Sequence, residues 1–512
     1  MNKKIYSLVW NRALHQVVVA SELASSKSAG SSSGCATGKV SLRRTMLAFG
    51  LMLACVAPMP LLAQEVCSGM TGASAGGTNT DACGTLAKAS GKDAAAFGAN
   101  SYAAGDYTTA LGAQSFATVN STAIGAKARA FSGISTAIGI NAYAGYYIAS
   151  AHMFGSAVAV GDSARAAGGA VAVGVFSNAY TESTALGARA KATALDDTAV
   201  GYLASASGYS GTAVGRSANA AARATAVGTD AYASGFGGSA LGSYSAAKGR
   251  SSIALGVNAY AGSESSVAIG HLASAGFNGV GTQALALGSH AHASANYSTA
   301  IGGAIDLNGN GYIDANEHTT ASGSSSIALG TVAQATQANA TAIGTQSQAT
   351  AAQSFALGAY SIASGAGSTA IGSAFDINGN GTFEANEKTT ASGSASMAIG
   401  DAAQATQTDS TAIGVESTST AAGSTANGFR ASTPGQNSVA IGALATSTQV
   451  GGLAEGYQAD ASGLKASAIG GDTVASGTMS TAIGWGSVAT AANTVSFGNA
   501  SAGIYRELVN IA

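Results

Sequence analysis

From about residue 90 to the end, the chain repeats one short pattern: a small or polar residue, Ala, an apolar residue, then Gly. These anchor glycines run from Gly98 to Gly498 in 27 units; of the 26 spacings, eighteen are 14 residues and four are 13. The other four are 22, 18, 28 and 28 residues. The residue two before Gly is Ala in 26 units, with Ser496 the exception. The residue one before is Ile, Leu, Val or Phe except at Asn427 and Glu455. Such alternation predicts a short strand with two unlike faces. The branched row is expected to form a dry interior. The row of methyl groups is expected to be a seam on which something packs very closely. Small residues three and five after Gly, such as Ala403 and Ala405 or Ser417 and Ser419, predict a second strand with its own inward face. A further glycine (Gly365, Gly463 or Gly477) is expected to make the return turn.

Fourteen residues cannot enclose a globular core, but two short strands and two turns make one coil. Stacked coils give a β-solenoid. The 400 residues from Gly98 to Gly498 correspond to about 29 coil-lengths, a rod on the order of 130 Å. The only proline after residue 64 is Pro434, so the ladders are not interrupted. So thin a coil buries little by itself, and the alanine seam is the expected meeting place of identical chains.

Composition narrows the function. With 71 Gly in 512 residues, 9% charged residues and a net charge of −2, the chain has too few charges for a solvated disordered tail and no footprint for nucleic acid. Glycine is not every third residue, which excludes collagen. No uninterrupted apolar run is long enough for an ordinary membrane-spanning helix. Outside two acidic insertions at 306–317 and 376–387, no nucleophile motif, clustered carboxylate pair or zinc spacing appears, so the protein is not expected to be an enzyme.

The start reads as an export signal. Lys39, Arg43 and Arg44 precede an apolar run over 45–57, and cleavage is expected after Ala63. Residues 1–38 extend the basic segment. Cys55 follows Leu53 and Ala54, but Met52 and the downstream PMPLLA argue against a lipoprotein site. Export permits a disulfide between Cys67 and Cys83, worth about 3 kcal/mol in the chain-entropy model, with two idle thiols as the alternative. The expected organisation is a signal over 1–63, a lead-in over 64–90, repeats over 91–490 and a closing segment over 491–512.

These features together resemble a known family. Asn2, Lys3, Tyr6, Trp10, Asn11 and Ser21 to Ala24 resemble the extended signal peptide of large autotransporters. Units such as STAIG, SVAIG and SIALG resemble the head repeats of trimeric autotransporter adhesins of the YadA type. Arg506, Asn510, Ile511 and Ala512 resemble the core of the neck that closes such heads. The resemblance implies an all-β, left-handed parallel β-roll with three chains side by side, at the surface of a Gram-negative bacterium. It also implies attachment to host cells, matrix or other surfaces. The family continues into a coiled-coil stalk and a membrane anchor, and no heptads or terminal alternating strands follow here, so an anchor is expected elsewhere. A non-adhesive or ice-ordering solenoid is the alternative. It would need an unbroken Thr ladder, whereas Ser and Val share the slot of Thr299, Thr341, Thr369 and Thr411. A polysaccharide-cleaving β-helix would need stacked acidic residues and longer coils.

Both 28-residue spacings contain the same insertion, DLNGNGYIDANE over 306–317 and DINGNGTFEANE over 376–387. Oxygen-bearing residues at loop positions 1, 3, 5, 9 and 12, with Gly at 6, form the pattern of a twelve-residue calcium loop. The expected ligands are Asp306, Asn308, Asn310, the Tyr312 carbonyl, Asp314 and Glu317, and then Asp376, Asn378, Asn380, the Thr382 carbonyl, Glu384 and Glu387. Ile313 and Phe383 at position 8 are expected to anchor the loops. Helices do not flank them, so a structural Ca2+ stiffening a protruding loop is expected, with a metal-free acidic turn as the alternative.

Other candidates are weaker. The 22-residue spacing gathers Tyr143, Tyr146, Tyr147, His152 and Phe154, and the 18-residue spacing adds Phe277, as partner anchors or as a folded-back corner. His290 and His292 share one strand face, where three chains would gather six imidazoles. NSVAIG over 437–442 and SSVAIG over 265–270 resemble the family motif tied to collagen binding, although Ala440 and Ile441 also have packing duties. Residues 127–250 hold nine Lys/Arg against five Asp/Glu, while 251–512 hold four against fourteen, so the first half is the one to attract anionic glycans.

Overall fold

The computed structural model describes residues 6–11, 16–21, 65–66, 71–146, 155–277, 281–506 and 509. It divides into two units, 1–61 and 62–512. In the first, Tyr6–Asn11 pairs antiparallel with Gln16–Ser21, Tyr6 opposite Ser21. The expected cleavage point, Tyr147, His152, Phe154 and Asn510 to Ala512 lie outside the described residues.

The second unit is a parallel β-solenoid. Each coil contributes a three-residue strand to a first sheet, as at Thr109–Leu111, and a two-residue strand to a second sheet, as at Phe116–Ala117. Coils stack in register: Thr109, Ala110 and Leu111 pair with Thr122, Ala123 and Ile124, which pair with Thr136, Ala137 and Ile138. The second sheet runs likewise from Tyr102 to Phe116 to Arg129. The ladders begin early, since Glu65–Val66 pairs with Asp81 and Ala82, and Ser74–Ala75 with Lys88 and Ala89. Among the described residues, no helix is long and apolar enough to cross a membrane.

The two faces of the first strand are the reverse of the expectation. Ala110, Ala123, Ala137, Ala268, Ala412 and Ala440 are completely buried inside the coil. The branched row points outward: Leu111 is 45% exposed, Leu255 44%, Leu287 40% and Ile441 42%. The reason is width. Two strands joined by tight turns face each other within a single coil, leaving room mainly for the small side chains of Ala, Ser and Thr. The second strand's inward face is as expected, with Ala403, Ala405, Ser417 and Ser419 all buried.

This interior tolerates hydroxyls because most are satisfied locally, although Ser326, Ser368, Ser417 and Ser447 Oγ have no partner among the described residues. Ser101 Oγ donates to the Gly98 carbonyl at 2.8 Å, and Ser252 Oγ to the Gly249 carbonyl at 2.7 Å. The same three-residue step recurs around the coil.

The anchor glycines adopt φ values that side chains avoid, +131° at Gly112 for example, and they stack without room for a methyl. A Cβ on Gly112 would stand 2.5 Å from the Gly125 carbonyl oxygen. The return-turn glycines work differently. Gly463 is not left-handed; the left-handed residue is Lys465, at φ 55°. Gly463 is needed because a Cβ there would lie 2.7 Å from the Gly477 carbonyl carbon.

The long spacings are single coils with excursions. Thr299–Ile301 pairs directly with Ile327 to Leu329, and Thr369–Ile371 with Met397 to Ile399. Across the 22-residue spacing, Thr136 to Ile138 pair with Val158 to Val160. Each insertion therefore adds no rise to the rod, and the coil-lengths number fewer than the residue count predicts.

Candidate functional site

The first calcium-type loop leaves the roll after Gly303 and returns at Thr319. Ala304 bridges His318 at its base. Thr319 Oγ1 contacts the Gly303 carbonyl at 2.9 Å and the Gly330 carbonyl at 2.8 Å. Gly309 (φ +70°) and Gly311 (φ +83°) supply the left-handed bends that the ring of oxygens needs.

Asp306 accepts from the backbone N–H groups of Gly309 and Gly311, both at 2.7 Å. The Asn308 and Asn310 amides donate to Asp314 Oδ2 at 2.8 and 3.1 Å, which draws positions 3, 5 and 9 together. Asn310 Oδ1 accepts from the Tyr312 N–H at 2.7 Å. Glu317 is buried and accepts from the N–H groups of Leu307 at 3.0 Å and Asp314 at 2.9 Å, clamping the two arms of the loop.

The second loop repeats this. Asp376 accepts from Gly379 and Gly381, and Asn378 and Asn380 donate to Glu384. Thr382 donates to Asn380, and the buried Glu387 accepts from Ile377 and Glu384. The Glu384 carboxyl is lowered to about 2, with the neighbouring Glu387 carboxyl as the largest cause and the Asn380 amide next. Phe383 packs its ring 4.8 Å from Tyr360, which fixes the loop to the roll.

The donor set is wholly oxygen and suits a hard cation such as Ca2+. Among the described residues, no three His, Cys, Asp or Glu side chains form a metal cluster by themselves.

Four histidines meet beside the first loop. His292 stacks on His318 with centroids 4.3 Å apart, and His290 meets His271 edge-on at 5.4 Å. Burial, followed by the neighbouring imidazoles, lowers His292 to about 4. Burial and the same kind of neighbours also lower His290. His290 and His292 do not share a strand face as expected: His292 lies on the strand His292–Ala293, whereas His290 is the left-handed residue of the preceding turn, at φ 57°. His271 and His318 are brought to them by coil stacking and by the return of the insertion.

Tyr143 joins the second sheet, and its ring lies 4.9 Å from Phe131. Phe131 lies 5.1 Å from Phe116, and Phe116 5.6 Å from Tyr102. This aromatic ladder is formed mainly by residues whose spacing along the chain conceals it. Phe277 is exposed, 5.9 Å from Tyr260. In NSVAIG, Ala440 is interior while Ile441 faces out. Cys83 is disulfide-bonded, and its partner sulfur lies outside the described residues.

The fold and the repeats thus define an exported β-solenoid head. The extended signal peptide of type V secretion systems matches residues 1–51. The YadA head domain repeat matches residues 89–115, 181–204, 247–273 and 280–304. It matches again in overlapping segments over 321–374, 391–459 and 461–501, together more than half of the chain. The chain belongs to the YadA-type trimeric autotransporter adhesin family, exported and displayed by a type V system. No curated protein matches it.

Proposed function

We propose that this chain forms a homotrimeric adhesin head at the surface of a Gram-negative bacterium, attaching the cell to host cells, matrix or other surfaces without catalysis. The observation that carries this reading is the outward branched row of the first sheet. Leu111, Leu255, Leu287 and Ile441 belong to an apolar stripe, broken only at Asn427 and Glu455 on either side of Ile441, that an isolated coil leaves in water. Identical stripes on three chains cover one another. The second sheet then faces outward, and many equal coils on three chains convert weak contacts into avidity.

Calcium completes the reading. Asp306, Asn308, Asn310, Tyr312, Asp314 and Glu317 would hold one Ca2+ per chain in the first loop. Asp376, Asn378, Asn380, Thr382, Glu384 and Glu387 would hold another. The role is structural: a bound cation neutralises the loop carboxylates and stiffens a protruding arm.

Sedimentation of the secreted chain tests assembly. The wild type is expected at three times the chain mass, and Leu255→Lys with Leu287→Lys is expected to yield single chains that retain the β-sheet signal. A monomeric wild type overturns the reading. Cell attachment to matrix-coated and cell-coated surfaces, with and without the secreted chain, tests adhesion.

A further inference from the structure

Along the second sheet, one outward residue per coil stacks in register, and near the start of the roll these are Lys88, Tyr102, Phe116 and Arg129. Beside them runs the left-handed turn column, with Asn100 (φ 57°) and Gln114 (φ 59°). The surface between the two columns is concave. One depression is lined by Lys88, Asn100 and Tyr102, and it adjoins a second lined by Asn100, Tyr102, Gln114, Phe116 and Arg129. The shared residues make them one groove running along the rod.

The lining has three chemistries in order. One wall is amide: among the described residues, neither the Asn100 nor the Gln114 side chain has a hydrogen-bond partner, so both are available. The other wall is aromatic. Tyr102 and Phe116 meet at 68°, edge to face, and Phe131 tilts against Phe116 at 5.1 Å, so Tyr102, 37% exposed, is the main open face of this wall. The ends are cationic. Neither Lys88 nor Arg129 takes part in either ion pair found among the described residues, and no carboxylate lines the groove. The floor is inert, because Ser101 and Ser115 donate to the Gly98 and Gly112 carbonyls at 2.8 Å.

We propose that this groove binds a linear acidic oligosaccharide of the uronic-acid class, laid along the rod axis. Sugar hydroxyls meet the Asn100 and Gln114 amides, ring C–H faces lie against Tyr102 and Phe116, and carboxylates reach Lys88 and Arg129. Those two cations are three coils apart, about 14 Å at the spacing of parallel strands, which calls for a chain of several sugars rather than one. A nucleic acid would want a cation track following each phosphate; here two cations bracket a neutral, amide-walled middle. The assignment rests on the adhesin reading in one respect, that the second sheet stays on the outside of the assembly.

The probe is oligogalacturonate, with its methyl ester as the uncharged counterpart, titrated against the secreted chain by calorimetry. The wild type is expected to bind the acid form and to lose at least about tenfold in affinity for the ester. Tyr102→Ser and Arg129→Gln are each expected to weaken binding by about tenfold or more, with the β-sheet signal unchanged. Arg223→Gln, farther along the rod, is expected to change nothing. Absence of binding, equal weakening by Arg223→Gln, or equal binding of a single-stranded oligonucleotide overturns the proposal. Sedimentation of the same samples reports assembly separately, so failure of the groove and failure of the trimer are distinguishable.

Discussion

The Arg506 guanidinium donates to the Ser487 hydroxyl at 2.7 Å. It also donates to the carbonyls of Phe497, at 2.6 Å, and Trp485. A Cβ on Gly484 would meet the Arg506 guanidinium carbon at 2.9 Å, in the place where other anchor glycines meet the next coil. Arg506 therefore caps the roll by standing in for a missing neighbour. Arg506→Ala is expected to lower the free energy of local opening by about 1–2 kcal/mol. Amide exchange over residues 481–498 would rise, and exchange in the middle of the rod would not.

Ala412 and Ile413 are adjacent and face opposite ways. Ala412→Leu forces a bulky group into a space sized for a methyl and is expected to cost about 1–3 kcal/mol or more. The thermal midpoint of the β-sheet signal would fall. Ile413→Ser is expected to leave that signal intact while weakening chain association, read by sedimentation.

Calcium binding is expected in calorimetry of the folded secreted chain, at two sites per chain. Asp306→Ala with Asp376→Ala is expected to abolish the heat. Persistence of the heat, or its absence from the wild type, removes the calcium assignment. Glu317→Ala is expected to destabilise the first loop by about 1–3 kcal/mol even without metal, because the N–H groups of Leu307 and Asp314 lose their acceptor.

His292 is lowered from 6.5 to about 4, so the folded state holds fewer protons on this ring than the unfolded state does in that interval. Its contribution is complete at neutral pH and is lost as pH falls from about 6.5 to about 4. The thermal midpoint is expected to drop across this window. In His292→Gln, a side chain already found at Gln334 and Gln348 in the same column, the drop is expected to be smaller.

The period, the two strands per coil and the two insertions that leave the roll were legible in the sequence because glycine, alanine and loop oxygens recur at fixed offsets. The inside and outside of the first strand were not. Alternation at Ala412 and Ile413 shows that two faces differ, but ranking by hydrophobicity puts the larger residue within, and only coil width reverses that. The grouping of His271 and His318 with His290 and His292 depends on which coils become neighbours once an insertion is skipped. Asp197 was also missed. It occupies an inward slot that usually holds Ser, and accepts from the Ala194 and Gly211 N–H groups at 2.8 Å. Burial pushes its carboxyl up. The available signal was a carboxylate four residues before anchor Gly201, with Gly211 making room one coil later.

The alanine-and-serine interior has a genetic consequence. Most inward side chains are Ala or Ser and need no particular partner in the next coil, Asp197 with Gly211 being an exception, so whole coils can be copied or deleted with little redesign of what lies between them. The two near-identical arms at 306–317 and 376–387, 70 residues apart, have the form of such a copied block. The length of the rod can thus change by whole coils, leaving the joinery untouched.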